Sequence, residues 1–520
     1  MSNSAEPLIV IVSNRGPFSF QQEADGSFKY RRGQGGLVTA LAGLMEHTEI
    51  LWIASAISED DQAWAAAHDD APQEIEGTLL QLVRIDREHY DPYYNVISNP
   101  LLWFIQHQLW NAPRKPDIDK ITWNAWNNGY VAVNQLMAEA VVKTVQSLDR
   151  PVLIFPQDYH LYMLPHFLRK ELGPEAYIQP FIHIPWPGPD GWRMLPEPMR
   201  TAILDSLLQS NCVGFQTKRD AFNFVQTCRF YLEDAHSYGS RNSIEYHERK
   251  VYANAYPISI DVDKVQSLAE ESETRLVKSH LINIIGDQKV ILRVDRIEPS
   301  KNIFRGLQAF RELLNEFPEH VGRVQMLMLL VPSRMEVDEY QSYWQSIMAE
   351  AGMINAQFSD AYWEPVQVIV GDNYQRAIAA FQLYDVLMVN PITDGMNLVA
   401  KEGALVNQRN GVLLLSEHAG AFYELGDHAL VVNPFDIYGT AQALHAALTM
   451  PGAERERRAL ALREQVQTAD VRAWFKAQLR DARSSHASKS STPDTPSTKK
   501  SAASSTDNGV SEEATPTPNA

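Results

Sequence analysis

Two series of short apolar runs, set between longer segments of helical periodicity, constrain this chain more than anything else in its sequence. The first falls at residues 8–13, 50–54, 152–155, 177–184 and 250–255; the second at 290–294, 324–331, 366–370, 386–389, 412–415 and 429–432. The runs are rich in Val, Ile and Leu and lack polar alternation, so they predict strands covered on both faces, as in parallel sheets flanked by helices. Right-handed crossovers through the intervening helices turn each series into a doubly wound sheet. A chain of 520 residues exceeds what one hydrophobic core usually serves. The expectation is therefore an α/β protein of two doubly wound domains, residues 1–255 and 256–464, with a hinge near 256–263 where Pro257 stands. Ligands of such sheets bind beyond the carboxyl ends of the strands, which puts the active site in the cleft between them.

A helical pattern from about residue 453 to 483 closes the ordered part, and its end, about 465–483, is expected to pack back on the first domain. Residues 484–520 are mostly Ser, Thr, Pro, Ala and Lys without a Phe, Trp or Tyr, a composition that predicts disorder. The formal charge of −18 excludes a global positive field for nucleic acid or an anionic membrane, so an anionic substrate must meet a local basic cluster. Cys212 and Cys228 are the only cysteines and each lies in an apolar stretch, which argues against a disulfide framework or a zinc site. No run approaches the roughly 20 apolar residues of a membrane span, and the start of the chain lacks the pattern of a secretory signal. A cytoplasmic location follows as the expectation, with small molecules as partners and a homo-oligomer left open.

The strand at 290–294 runs into Arg296 and Lys301, two cations just past a strand end. Positioned Arg and Lys stabilise the charge that develops on a departing diphosphate; a surface loop with incidental charges has the same spacing. After the strand at 386–389 come Asp394, Gly395, Met396, Asn397, Leu398 and Glu402. Here Gly395 is expected to allow a tight turn and a helix to start near Met396, so that free N–H groups face a phosphate and Glu402 meets ribose hydroxyls. A plain helix cap by Asp394 fits equally. In the first half, Asn14-Arg15-Gly16 follow the first strand and Gly33 to Gly36 are expected to open a helix. Asp158 and His160 stand past one strand and His183 at the end of the next; Tyr94 and Trp103 are suited to stacking on a sugar ring, or to an aromatic core. Arg334 follows the strand at 324–331, placed to hold a phosphate or to pair with Glu336. Asp261 and Asp263 form an Asp-x-Asp in the linker, away from a strand end, and no metal is expected.

Motif for motif, residues 8–480 resemble the trehalose-6-phosphate synthase family, retaining glycosyltransferases with two Rossmann-like domains of the GT-B type. The resemblance implies that Arg296 and Lys301 bind the donor diphosphate, and that Asp394, Met396, Asn397, Leu398 and Glu402 hold donor sugar, phosphate and ribose. It implies that His183 contacts the donor glucose and that backbone near Gly36 supports it. On the acceptor side it implies Arg15, Tyr94, Trp103, Asp158 and Arg334 around glucose 6-phosphate, with both arginines on its phosphate. The reaction it implies needs neither cofactor nor metal: the leaving phosphate helps deprotonate the acceptor hydroxyl on the same face, and no enzymic nucleophile is required.

Three stretches depart from the family pattern. Ser55 stands where a second tryptophan is usual, three residues after Trp52; the cationic loop reads Glu298-Pro299-Ser300-Lys301-Asn302; and residues 185–192 are bulkier than usual. An altered acceptor wall keeps other readings open: a family member using glycerol 3-phosphate or a cyclitol phosphate, or a nucleotide-sugar epimerase that needs no acceptor.

Overall fold

The computed structural model describes residues 6–33, 49–148, 150–237, 242–469 and 471–490, apart from the side chains of 485–490. The second series of apolar runs forms one six-stranded sheet in the spatial order Val366–Val370, Val324–Val331, Lys289–Arg296, Val386–Val389, Val412–Ser416, Leu430–Val432. Every neighbouring pair is parallel, and helices such as Ile303–Glu316 and Ile437–Thr449 cover it. Read along the chain, this is the doubly wound order in which the direction of winding reverses between Lys289–Arg296 and Val386–Val389. A crevice opens at such a reversal. The loops that leave those two strands carry Arg296 and Lys301 on one side and Asp394 to Glu402 on the other.

The first half repeats the device. A six-stranded sheet runs Gln73–Ile75, Thr78–Val83, Ile50–Ser55, Leu8–Ser13, Val152–Pro156, Tyr177–Ile178, parallel except for the antiparallel pair Gln73–Ile75 and Thr78–Val83. Its winding reverses between Leu8–Ser13 and Val152–Pro156, so Arg15 and Asp158 leave neighbouring strands at the same edge. The run at 177–184 is not one strand. Tyr177–Ile178 ends the first sheet, whereas Phe181–Ile182 pairs with Cys212–Phe215 in a separate four-stranded sheet. Pro180, which has no N–H to give a ladder, sits at the step and offers its carbonyl to the N–H of Gly214 at 2.8 Å.

The closing helical pattern is two helices, Gly452–Thr468 and Val471–Ser490. The second runs past residue 483 to Ser490, so the segment expected to be disordered from 484 begins as helix; residues 491–520 lie outside the described residues. This last helix lies against strands of the first half: Trp474 meets Phe181 edge-on at 5.1 Å, Phe475 meets Phe155 at 5.1 Å, and Gln179 donates to Gln478 at 3.2 Å. Asp261 caps the helix Val262–Glu270 by accepting from the N–H of Lys264 at 3.0 Å, and Asp263 pairs with Arg472, so both linker carboxylates have structural partners. No helix among the described residues is long and apolar enough to cross a membrane.

Candidate active site

In the second sheet's crevice, Lys301 Nζ donates to Asp394 Oδ2 at 2.5 Å, and Asn397 Nδ2 donates to the same oxygen at 3.1 Å. Two donors from two loops thus converge on one carboxylate. Asn397 holds φ at 72°, the left-handed conformation that Asn tolerates better than most side chains, and Leu398 opens the helix that follows. Glu402, one turn into that helix, accepts from the Tyr374 hydroxyl at 2.8 Å; burial pushes its carboxyl up to about 7, against the lowering effect of that bond. Arg296 is half exposed, paired with Glu298 at 3.1 Å, its guanidinium 5.9 Å from the Trp103 ring.

Glu298 is fully buried and bridges two cations. Its Oε1 accepts from Arg334 at 2.9 Å while Oε2 faces Arg296. Burial alone would raise its carboxyl; Arg296, Arg334 and Lys301 overcome that and bring it to about 2. Arg334, itself at φ 47°, also donates to the hydroxyls of Tyr340 at 2.6 Å and Tyr159 at 3.3 Å and lies 4.2 Å over the Trp103 ring. Arg334 and Glu298 belong to the second half and Trp103 and Tyr159 to the first, so this cluster spans the cleft. Trp103 is buried and stacks on His107 at 4.0 Å; Tyr94 stacks between Tyr90 and His160, each 5.8 Å away. Arg15 is exposed at the mouth of the first crevice.

Asp158 turns the chain at φ 72°, a strained conformation for a residue with a Cβ. One carboxylate oxygen accepts from the His183 N–H at 3.3 Å, and burial pushes the carboxyl up to about 7 against the pull of nearby N–H groups, Arg334 and Arg296. The His183 ring is fixed by a relay of amides. The N–H of Ile258 donates to Gln216 Oε1 at 2.9 Å, which turns the Gln216 NH2 toward His183 Nδ1 at 3.4 Å. Gln157 gives its own NH2 to the Phe155 carbonyl at 3.0 Å and so presents Oε1 to His183 Nε2 at 3.0 Å. The ring is therefore neutral with its proton on Nε2, and burial holds its pKa near 3.

The two halves touch at Gly395. A Cβ there would stand 1.9 Å from the His183 carbonyl oxygen, and one at Gly420 would stand 1.8 Å from the carbonyl of Gly395. Three backbone layers stack without room for a side chain. Beside them a cavity of about 110 Å³ opens between Trp186 and Asp220 of the first half and Thr393, Asp394 and His418 of the second.

The model of glycosyltransferase family 20 matches residues 7–484. The chain belongs to glycosyltransferase family 20. A UDP-forming α,α-trehalose-phosphate synthase of Candida albicans is 34% identical over 457 residues, 86% of this chain and 91% of that one. Among solved structures, the E. coli trehalose-6-phosphate protein bound with UDP-2-fluoro glucose superposes with TM-score 0.79 at 27% identity, covering 91% of this chain and 98% of that one. A UDP-forming α,α-trehalose-phosphate synthase from Burkholderia xenovorans in complex with glucose-6-phosphate gives TM-score 0.78 at 29% identity, covering 91% of this chain and 99% of that one. The fold is GT-B.

Within this family 20 chain the structure gathers Arg296, Lys301, Asp394, Asn397, Trp103, Arg334, Asp158 and His183 along one cleft, with Met396 next to Gly395 in the loop and Leu398 and Glu402 in the first turns of the helix that follows. Gly36 lies outside the described residues. One expectation is corrected and two alternative readings fall away. Gly395 serves close approach rather than a turn, and the left-handed residue is Asn397; Asp394 accepts from Lys301 and Asn397 instead of capping the helix; and Arg334 pairs with Glu298, not Glu336. Ser55, expected beside the acceptor, is buried at the end of its strand with its hydroxyl on Met137 Sδ at 3.7 Å. The sequence alone does not mark Glu298 or Gln216 as site residues, and it offers Gln157 and Tyr159 only as part of the strand-end stretch around Asp158 and His160. The signal for Glu298 was its place between Arg296 and Lys301 in a loop otherwise read for its cations.

Proposed function

We propose that this chain transfers glucose from UDP-glucose to glucose 6-phosphate, making α,α-trehalose 6-phosphate with retention at the anomeric carbon. The observation that carries the reading is the pairing across the cleft. Lys301, Asp394 and Asn397 form a donor-side cluster, and Arg334 lies on Trp103 and Tyr159 opposite it. The relatives' names and the two ligands held by the solved structures agree with a nucleotide-glucose donor and a phosphorylated acceptor.

In this reading Arg296 and Lys301 take up the charge that grows on the diphosphate as its bond to glucose breaks. Asp394 and the His183 backbone hold the glucose, Glu402 the ribose, and the N–H groups at the start of the helix Leu398–Val406 face phosphate. Arg334 and Arg15 bind the acceptor phosphate while Trp103 and Tyr94 flank its ring and Asp158 accepts from a hydroxyl. The leaving phosphate takes the acceptor's proton on the same face. His183 is not the base, since Nδ1 already accepts from Gln216 and Nε2 donates to Gln157. Two fixed cations supply the charge that a divalent ion would otherwise supply, so the reading needs no metal, and the rate should survive EDTA.

The test is an acceptor screen with UDP-glucose as donor, following UDP release and product mass. UDP release that depends on glucose 6-phosphate, with a trehalose phosphate product, is the expected result. Product formed only from glycerol 3-phosphate or a cyclitol phosphate would replace the acceptor, and conversion of the donor alone would replace transfer with epimerisation.

A further inference from the structure

The strand Lys289–Arg296 points alternate residues to opposite faces, and Ile291, Arg293 and Asp295 share the face turned to the helix Ile303–Glu316. That side holds an apolar core of Ile291, Ile303, Leu307, Met328 and Met388. Arg293 sits in it with 1% of its side chain exposed. Burying a guanidinium costs several kcal/mol, and an apolar side chain of like volume is often the more stable choice. Here the offset is incomplete: Nε donates to Asp295 Oδ2 at 2.8 Å and Nη2 to the Lys301 carbonyl at 2.5 Å, but Nη1 has no hydrogen-bond acceptor among the described residues.

The facing helix makes a second costly choice. Gly306 lies inside it, where Gly is less favourable than Ala because it loses more backbone freedom on folding. A Cβ at 306 would stand 2.2 Å from Arg293 Nη1 and 3.3 Å from Met388 Cε, so the glycine makes room for the guanidinium. Two unfavourable residues on two elements therefore serve one guanidinium, whose bond beyond its own strand is to the carbonyl of Lys301. The loop is tied from the other side as well, since Asn302, at φ 59°, donates to the carbonyls of Asn390 at 3.0 Å and Pro434 at 2.7 Å. Between these ties the Lys301 ammonium reaches Asp394.

We propose that Arg293 is the positioning residue for Lys301, holding the lysine's backbone from beneath so that its ammonium meets the donor phosphate at a fixed point, with Gly306 as the space that Arg293 occupies. This rests on the proposed donor role of Lys301. Arg293 touches no substrate; it acts through the Lys301 carbonyl, and a displacement near 1 Å at a charge-stabilising group is enough to cost up to roughly 100-fold in rate.

The test uses the full chain with UDP-glucose and glucose 6-phosphate, measuring kcat, both Michaelis constants, UDP affinity by calorimetry and thermal stability. Arg293→Met is paired with Arg293→Met/Asp295→Asn, which avoids leaving a buried carboxylate alone, and with Gly306→Ala, which displaces the guanidinium without deleting it. Expected in all three are a roughly 10- to 100-fold fall in kcat per folded molecule and weaker UDP binding, with the acceptor constant within about 2-fold. The double variant should melt no lower than the parent. Wild-type kcat and UDP affinity in the folded double variant would overturn the proposal, as would a loss shared equally by donor and acceptor. If the parent transfers to no acceptor, the donor reading of the reaction fails by itself. UDP affinity still decides the role of Arg293, because Lys301→Ala reports whether Lys301 binds UDP in the same assay.

Discussion

The two sides of the cleft are built on different principles. On the donor side the cluster of Lys301, Asp394 and Asn397 comes from two loops of one sheet, and the hydrogen bonds that join the three are made within the second half. The acceptor side belongs to neither half alone: Arg334 needs Trp103 and Tyr159 from the first half and Glu298 from the second. A site within one sheet tolerates a change in how the halves meet, whereas a site shared between them does not. The comparison teaches that donor binding and acceptor binding should respond to different classes of mutation.

The sharpest way to break it is Gly395→Ala. A methyl 1.9 Å from the His183 carbonyl oxygen forces the halves apart, so kcat/KM with glucose 6-phosphate should fall by more than about 100-fold. UDP affinity, measured by calorimetry, should fall far less; an equal loss of both would erase the distinction. Arg296→Ala should lower kcat by about 100-fold with little change in the acceptor constant, as expected of a group that stabilises leaving-group charge, and wild-type turnover would remove Arg296 from the donor site. Arg334→Ala should instead raise the acceptor constant by roughly 10-fold or more in steady-state assays. It also takes one of two cations from the buried Glu298, leaving only Arg296 on it, so a lower melting temperature should accompany the change.

Asp158→Asn separates chemistry from stability by pH. Burial holds the carboxyl at about 7 against an ordinary aspartate value of 3.8, so the folded state is favoured while it is protonated and loses that advantage as pH rises from 3.8 through about 7. Asn cannot ionise. The variant should therefore gain melting temperature over the parent at pH 8 and little or none at pH 4, while turnover falls at both; a gain independent of pH would place the carboxyl's titration elsewhere. The smallest effect belongs to Ser55→Ala. Its hydroxyl meets only the Met137 sulfur at 3.7 Å among the contacts described, and the acceptor constant should stay within about 2-fold. A larger shift would return Ser55 to the acceptor wall.

The sheets were legible because strands buried on both faces leave continuous apolar runs, and the doubly wound order then brings Arg296 and Asp394 to one crevice. Periodicity reports burial, not partners, which is why the run at 177–184 read as one strand although Pro180 divides it between two sheets. The cations stood out by charge and place. Glu298 and Arg293 did not, since a carboxylate beside two cations and an arginine within a strand acquire meaning only when the second half, or the facing helix, closes over them. Gly395 was legible as important but for another reason, because the carbonyl that excludes a side chain there lies more than two hundred positions away in the chain.

The return of the last helix to the first half gives the molecule a mechanical character. The polypeptide passes between the halves twice, once through residues 256–261 and once between the helices Gly452–Thr468 and Val471–Ser490, and the N–H of Val471 donates to the carbonyl of Ile260 at 3.4 Å. Two tethers knotted at one point behave as a single pivot: they permit a rocking rotation about that point and resist sliding or separation. The far rim of the cleft, beyond Gly395, is then the part that travels furthest for a given angle, as the tip of a jaw does.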